Sequence, residues 1–273
     1  MIWQPVSGCS DTCRVGGEDH VSGLVAGVRM LRCAGVLLLG LLLLPVLRDR
    51  AAAAVSRGIM KALGVRLVWR GPQPKPGTLL VSNHVSWLDV VALLSVAPVK
   101  LVAKCEVRGW PGIGHLATML GAIFLDRSRP KSLPQTVAAV TAELRAGHSV
   151  AVFPEGTTHC GQSRAATGAW SYGRRGGSGH HRGRFRPALF QAAVDAGAAA
   201  VPVSISYDST AAAFVGDDSL WDSVRRVAAL RSLTVTLVGS PALRPAEGAD
   251  RKVLARAAQA SIGVRPTGLG LAA

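Results

Sequence analysis

Aromatic residues are scarce in this chain, 5% of 273 positions, and acidic residues number 16 against 31 basic ones. The formal charge of +15 points to a polyanionic partner: nucleic acid, an anionic membrane surface or a phosphorylated substrate. With few aromatics to stack on bases, and no helix-turn-helix, RNP or zinc-finger pattern, nucleic acid is set aside. The five cysteines, Cys9, Cys13, Cys33, Cys105 and Cys160, are odd in number and scattered. That argues against a disulfide framework and fits a reducing compartment. Cys9, Cys13 and His20 are followed by no second ligand pair, so no metal site is expected. There is no G-x-S-x-G elbow to mark a serine hydrolase, and Gly112-Ile113-Gly114 follows Trp110-Pro111 rather than a strand, unlike a dinucleotide loop. No internal repeat is apparent.

Hydrophobic content of 49% argues against disorder, and the length suits one large α/β domain or two small ones. Residues 1–23 show no period and read as a disordered tail. From Cys33 to Leu47 run fifteen residues without a charge, between Arg29 and Arg32 on one side and Arg48 and Arg50 on the other. As a helix this run reaches roughly 22 Å, short of the roughly 30 Å hydrocarbon core. Arginines at both ends suit a segment that dips into one leaflet from the cytoplasmic side, with their guanidinium groups among anionic headgroups. A signal peptide and a buried core helix are the competing readings. The membrane-anchoring helical segment is placed at 24–64.

Beyond residue 64 the period changes. Apolar, β-branched runs at Val65–Trp69, Thr78–Ser82, Val99–Ala103, Ala122–Leu125, Ser149–Phe153, Ala200–Ser206 and Leu233–Val238 predict seven strands. Helical spacing is clearest at Trp87–Ser95, Lys131–Arg145, Pro187–Ala196 and Ala246–Ile262, with Gly147 and Gly197 as stops. Alternation of this kind predicts an α/β fold with a mixed, mostly parallel sheet of about seven strands flanked by helices. The core would run over 65–240, with a C-terminal helix and tail at 241–273. A Gly-, Ser-, Arg- and His-rich stretch at 160–183 has no hydrophobic period and reads as a mobile basic insertion.

Asn83-His84-Val85-Ser86-Trp87-Leu88-Asp89 closes the second run. Positions five apart on a helix diverge by about 140°, so His84 and Asp89 meet only if a helix starts between them. Ser86 as N-cap and Asp89 three residues on have the pattern of a capping box, which puts His84 in the turn and Asp89 in the first helical turn. From this stretch alone, a capping role for Asp89 and a catalytic pair fit equally well. Two further runs end in polar groups: Ala122–Leu125 in Asp126-Arg127, and Ser149–Phe153 in Pro154-Glu155-Gly156-Thr157. Carboxyl ends of strands are where open α/β sheets place their sites.

In chain order, SNHVSWLD, LVAKCEV, GAIFLDRSR, FPEGT and VPVSI resemble the motif series of the glycerolipid acyltransferases related to 1-acylglycerol-3-phosphate acyltransferase, over about residues 65–207. The resemblance implies transfer of a fatty acyl group from acyl-CoA or acyl carrier protein to a lysolipid hydroxyl at the cytoplasmic membrane face, with no other cofactor. Membrane lipids, the lysolipid acceptor and the acyl carrier are the implied partners. It implies His84 as base and Asp89 as its orienting partner. Glu155, Gly156 and Thr157 would shape the acceptor site, while Arg127 and Lys104 would hold phosphate. In two places the chain departs from the family pattern: Thr158 stands where an arginine commonly follows the third motif, and Phe185-Arg186-Pro187 replaces a Phe-Lys-Gly turn. Acyltransferases of lyso-ornithine lipid also look similar, and an inactive membrane-binding protein of the same fold is the non-enzyme alternative.

Overall fold

All seven apolar runs form strands in the computed structural model, which describes residues 7, 9–14, 17–160 and 183–263. They are β1 (Val65–Arg70), β2 (Leu79–Ser82), β3 (Val99–Lys104), β4 (Ile123–Leu125), β5 (Ser149–Val152), β6 (Ala200–Tyr207) and β7 (Leu233–Gly239). One sheet results, in the order β1-β7-β6-β2-β5-β3-β4. Every neighbouring pair is parallel except β6 with β7. Strands β2 and β5 are buried along their whole length, as apolar runs without alternation require at the centre of a sheet covered on both faces. β7 alternates buried and half-buried residues.

Helices α1 (Gly23–Ala62), α2 (Leu88–Val96), α3 (Ile113–Met119), α4 (Leu133–Arg145), α5 (Phe190–Ala196), α6 (Leu220–Ala229) and α7 (Arg251–Gly263) enclose the sheet. Two apolar cores follow. One packs α1, α2 and α6 residues, among them Ile59, Leu88, Leu93 and Val227, against Leu80, Val203 and Leu237. The other packs Val140, Phe190, Leu254 and Ala258 against Leu79, Val81 and Val150. Successive residues of β2 thus face opposite cores, as the two-residue period of a strand dictates.

The N-terminal third differs from its sequence reading in two ways. Residues 1–23 were read as a disordered tail, yet the described part is docked on the domain. Cys9 and Cys13 are buried, Arg14 pairs with Asp218 at 3.1 Å, and Val21 donates its N–H to the Ala229 carbonyl. Individual polar and thiol contacts hold this segment, so it carries no period to detect.

The stretch apolar enough to cross a membrane also starts earlier and is longer than the uncharged run Cys33–Leu47. Gly23–Leu43, 21 residues with a mean hydropathy of 1.8, is long and apolar enough to cross a membrane by length and composition. Residues 36 and 58 would stand about 33 Å apart on a straight helix. A Cβ on Gly58 would instead lie 2.9 Å from Val36, and one on Gly40 2.7 Å from Val55. The segment therefore doubles back between Gly40 and Val55 into two antiparallel arms, and glycine at both contacts lets them close.

On the first arm Leu24, Leu31, Leu38 and Leu42 are each more than 60% exposed, at spacings that place them on one stripe. Its other side supplies Met30, Cys33, Val36 and Leu37 to the first core. Arg29, read as a flanking anchor, donates Nη1 to the Ala228 and Leu230 carbonyls at 3.1 and 2.5 Å. The arm is both core helix and apolar surface. The basic insertion expected at 160–183 falls, apart from its end residues Cys160 and Gly183, outside the described residues.

Candidate active site

Five parallel strands, β6, β2, β5, β3 and β4, end at one edge of the sheet, and the polar motifs collect there. β2 lies between β6 and β5, so the turn leaving it is flanked by the turns leaving both neighbours. Asn83 fixes its position: its side-chain amide donates to the Ile205 carbonyl at 2.9 Å and accepts from the Ile205 N–H at 2.8 Å. Ser82 adds a hydroxyl bond to the Val203 carbonyl at 2.7 Å.

The turn then brings His84 and Asp89 together. Helix α2 starts at Leu88, one residue later than the capping-box reading expects, with Trp87 at its N-cap. Asp89 still reaches back over the turn, as the third residue of a capping box does. Its Oδ2 accepts from the Val85 and Ser86 N–H groups at 2.6 and 2.9 Å and lies 2.8 Å from His84 Nδ1. Its Oδ1 accepts from the Tyr207 hydroxyl at 2.5 Å. The carboxylate is fully buried, and four donors converge on it. Burial, and then the Asp89 charge, push the Tyr207 phenol well above its ordinary pKa, so its hydroxyl stays a donor.

With Nδ1–H assigned toward Asp89 by this hydrogen bond, His84 keeps Nε2 as its acceptor. The side chain is 20% exposed and stacks on Phe153, ring centroids 4.0 Å apart at 16°. The imidazole is thus held on one edge and one face. An imidazole oriented in this way, with Nε2 left as acceptor, is suited to taking a proton from a hydroxyl.

Glu155, expected to shape an acceptor site, is 4% exposed, and its Oε2 accepts from the His84 N–H at 3.0 Å. It ties the β5 turn to the histidine turn. Gly156 sits at φ 79°, a conformation that a side chain would strain. Thr157 is half-buried in the same turn. Arg127 Nη1 donates to the Gly156 carbonyl, joining the end of β4 to the end of β5.

Burial lowers the Arg127 pKa, opposed by Glu106 and reinforced by Arg186. Lys104 is lowered by desolvation and next by Arg127, although the residue as a whole is exposed. Arg127 therefore feels two cationic neighbours, Lys104 and Arg186, and one acidic neighbour, Glu106, which acts on Lys104 as well. Arg129 does not join them: it is 81% exposed and pairs with Asp126 at 3.6 Å. Thr158, at the position where the family commonly has arginine, donates its hydroxyl to the Phe214 carbonyl.

Tyr207 is the residue that sequence reasoning missed. The only signal was its place at the end of the VPVSISY run, where a tyrosine reads equally as a strand residue.

Comparison with known proteins gives this geometry its context. Residues 66–206 match the family model described as Acyltransferase. A 1-acyl-sn-glycerol-3-phosphate acyltransferase from Neisseria meningitidis is 30% identical over 217 residues, 77% of this chain and 78% of that protein. A lyso-ornithine lipid O-acyltransferase from Pseudomonas aeruginosa is 32% identical over 223 residues, 79% and 78% of the two chains. The crystal structure of the 1-acyl-sn-glycerophosphate acyltransferase from Thermotoga maritima shares the fold, with a TM-score of 0.52 at 16% identity over 90% of this chain and 97% of that one. The match spans every strand that feeds the polar edge, and the chain belongs to the acyltransferase family as a glycerolipid O-acyltransferase.

Proposed function

We propose that the protein transfers a fatty acyl group from acyl-CoA or acyl carrier protein to the free hydroxyl of 1-acyl-sn-glycerol-3-phosphate, giving phosphatidic acid. His84 Nε2 takes the hydroxyl proton as the oxygen attacks the thioester carbonyl. The tetrahedral intermediate collapses by breaking the carbon–sulfur bond. Asp89 stabilises the imidazolium formed in the first step. The leaving thiol has an ordinary pKa of about 8.5, so it departs as thiolate without a second acid, and the proton on His84 is then returned to solvent or sulfur.

The observation that carries the acceptor assignment is the grouping of Arg127 with Lys104 and Arg186, with Arg127 bonded to the turn that holds His84 through Glu155. A dianionic headgroup matches this charge better than an amino-acid headgroup. Arg127→Ala should lower kcat/KM for the phosphate acceptor by about 10- to 150-fold, the value of one charge-assisted hydrogen bond of roughly 1.5–3 kcal/mol. Purified protein would be given labelled acyl-CoA and acyl carrier protein with a panel of lysolipids. Acylation of lyso-ornithine lipid but not of lysophosphatidic acid would overturn the acceptor and leave the reaction class standing.

The reaction is placed at the cytoplasmic membrane face, supported by the apolar helix and the net charge. Burying one leucine side chain is worth about 1.5–3 kcal/mol, so replacing Leu31, Leu38 and Leu42 together with glutamine should cut binding to anionic liposomes by at least roughly tenfold. What remains should fall as salt rises. Co-sedimentation equal to that of the unaltered protein at high salt would rule out this face as the anchor.

A further inference from the structure

Three thiols that lie far apart in the sequence converge beside the histidine turn. Cys9 precedes a short 3₁₀ turn, Asp11–Cys13, whose last residue is Cys13, and Cys160 follows the β5 turn. All three are buried, and their sulfurs lie within 4.8 Å of one another. Cys9 and Cys160 are 3.5 Å apart at sulfur, and the Cys160 N–H points to Cys9 Sγ at 3.3 Å. The sequence offered Cys9 and Cys13 as a first ligand pair lacking a second. The fold supplies the missing thiol from 151 residues away.

We propose that Cys9, Cys13 and Cys160 bind a zinc ion as three thiolates. Ligands at 2.3 Å in tetrahedral array set sulfurs about 3.8 Å apart, between the contact and the limit seen here. A C-x3-C pair with a distant third cysteine is within the ligand spacing of zinc sites. The backbone N–H on a ligand sulfur is the kind of outer contact that steadies a metal thiolate. Among the described residues, no fourth His, Cys, Asp or Glu joins the group. Binding would release the thiol protons to solvent, one from each cysteine.

The bland alternative is a small apolar cluster, since Val85, Ala213 and Val215 pack around the thiols. A cluster of that kind has no need for three sulfurs at one point on two irregular segments. The ion would also have a mechanical consequence. Val85 contributes one of the N–H donors on Asp89, and His159, next to Cys160, donates its N–H to the His84 carbonyl at 2.8 Å. The thiolates would fasten the N-terminal segment to both sides of the turn that carries the base.

Elemental analysis of the full-length protein, purified without chelator and with reductant present, should give about one zinc per chain. Cys9→Ser, Cys13→Ser and Cys160→Ser should each lose it, while Cys33→Ala and Cys105→Ser keep it. Because the serine variants could fail to fold, the unaltered protein would also be stripped with chelator and titrated with Zn²⁺. Zinc should restore a lowered melting temperature, and Co²⁺ should produce a thiolate charge-transfer band. Three results would each overturn the proposal: stripped, folded protein that takes up no Zn²⁺; zinc retained by all three serine variants; or an intact mass showing a Cys9–Cys160 disulfide in protein kept under reductant.

Discussion

His84→Ala should leave a folded protein with acyl transfer reduced by at least about 10²- to 10⁴-fold, the range that a positioned general base contributes. Little of the fold depends on this side chain. It is partly exposed, its one packed face rests on Phe153, and the turn around it is held by backbone and neighbouring groups: Asn83 to β6, Glu155 to the His84 N–H, and Asp89 to the next two N–H groups. Loss of the ring stack costs about 0.5–1.5 kcal/mol, and each kcal/mol moves the melting temperature of a chain this size by about 2–4 °C. Single-turnover transfer measured alongside thermal unfolding separates the two effects. A folded variant working within a few fold of the unaltered enzyme would show that His84 is not the base.

Asp89→Asn should be nearly as damaging to the rate and more damaging to stability. The carboxylate offers only acceptors to four donors. The carboxamide has one acceptor oxygen and one amino group, which must face at least one of those donors. If the amino group turns to His84 it donates to Nδ1 and leaves the proton on Nε2, the wrong tautomer for a base, and the Val85 and Ser86 N–H groups on the same side lose their acceptor. In Ser-His-Asp triads that error costs about 10⁴-fold in kcat. If it turns the other way, it faces only the Tyr207 hydroxyl, which loses its acceptor at about 1–3 kcal/mol. Tyr207→Phe is the informative partner, because it removes one donor and leaves the tautomer intact; a loss within roughly tenfold is expected. Equal losses in Asp89→Asn and Tyr207→Phe would mean that Asp89 serves the fold rather than the imidazole.

The strands were legible because β-branched apolar runs have no competing use in this sequence, and the mostly parallel sheet follows from their alternation with helices. Two helices lie outside the expected set. Ile113–Met119 is only seven residues long and begins at a Gly-Ile-Gly, whereas Leu220–Ala229 was legible, with Ser219 accepting from the Asp222 N–H as its cap and its apolar positions on one face. The pairing of His84 with Asp89 was readable because both residues lie within one turn. Tyr207, 118 positions from Asp89, was not, because a neutral phenol at a strand end has no local signature. The ordering of residues near the N-terminus escaped for a related reason: its partners, Asp218, Ala229 and Cys160, come from the other half of the chain. The fold-back of α1 rests on Gly40 and Gly58, whose role appears only when Val55 and Val36 are seen against them.

The Arg29 contact with Ala228 and Leu230 has a consequence in time. A ribosome adding about 5–20 residues per second needs roughly 10–40 s to pass from the first of these positions to the last. Throughout that interval the leucine-rich arm exists without the carbonyls and the core that will hold its other side. A bilayer is the apolar surface within reach first. On the anchoring proposed above, membrane capture would precede completion of the sheet, and the enzyme would be assembled already facing that surface. The same arm cannot be trimmed away to give a soluble enzyme, since the cut would open the core it closes; a soluble form would have to keep the helix and exchange only its outward leucines.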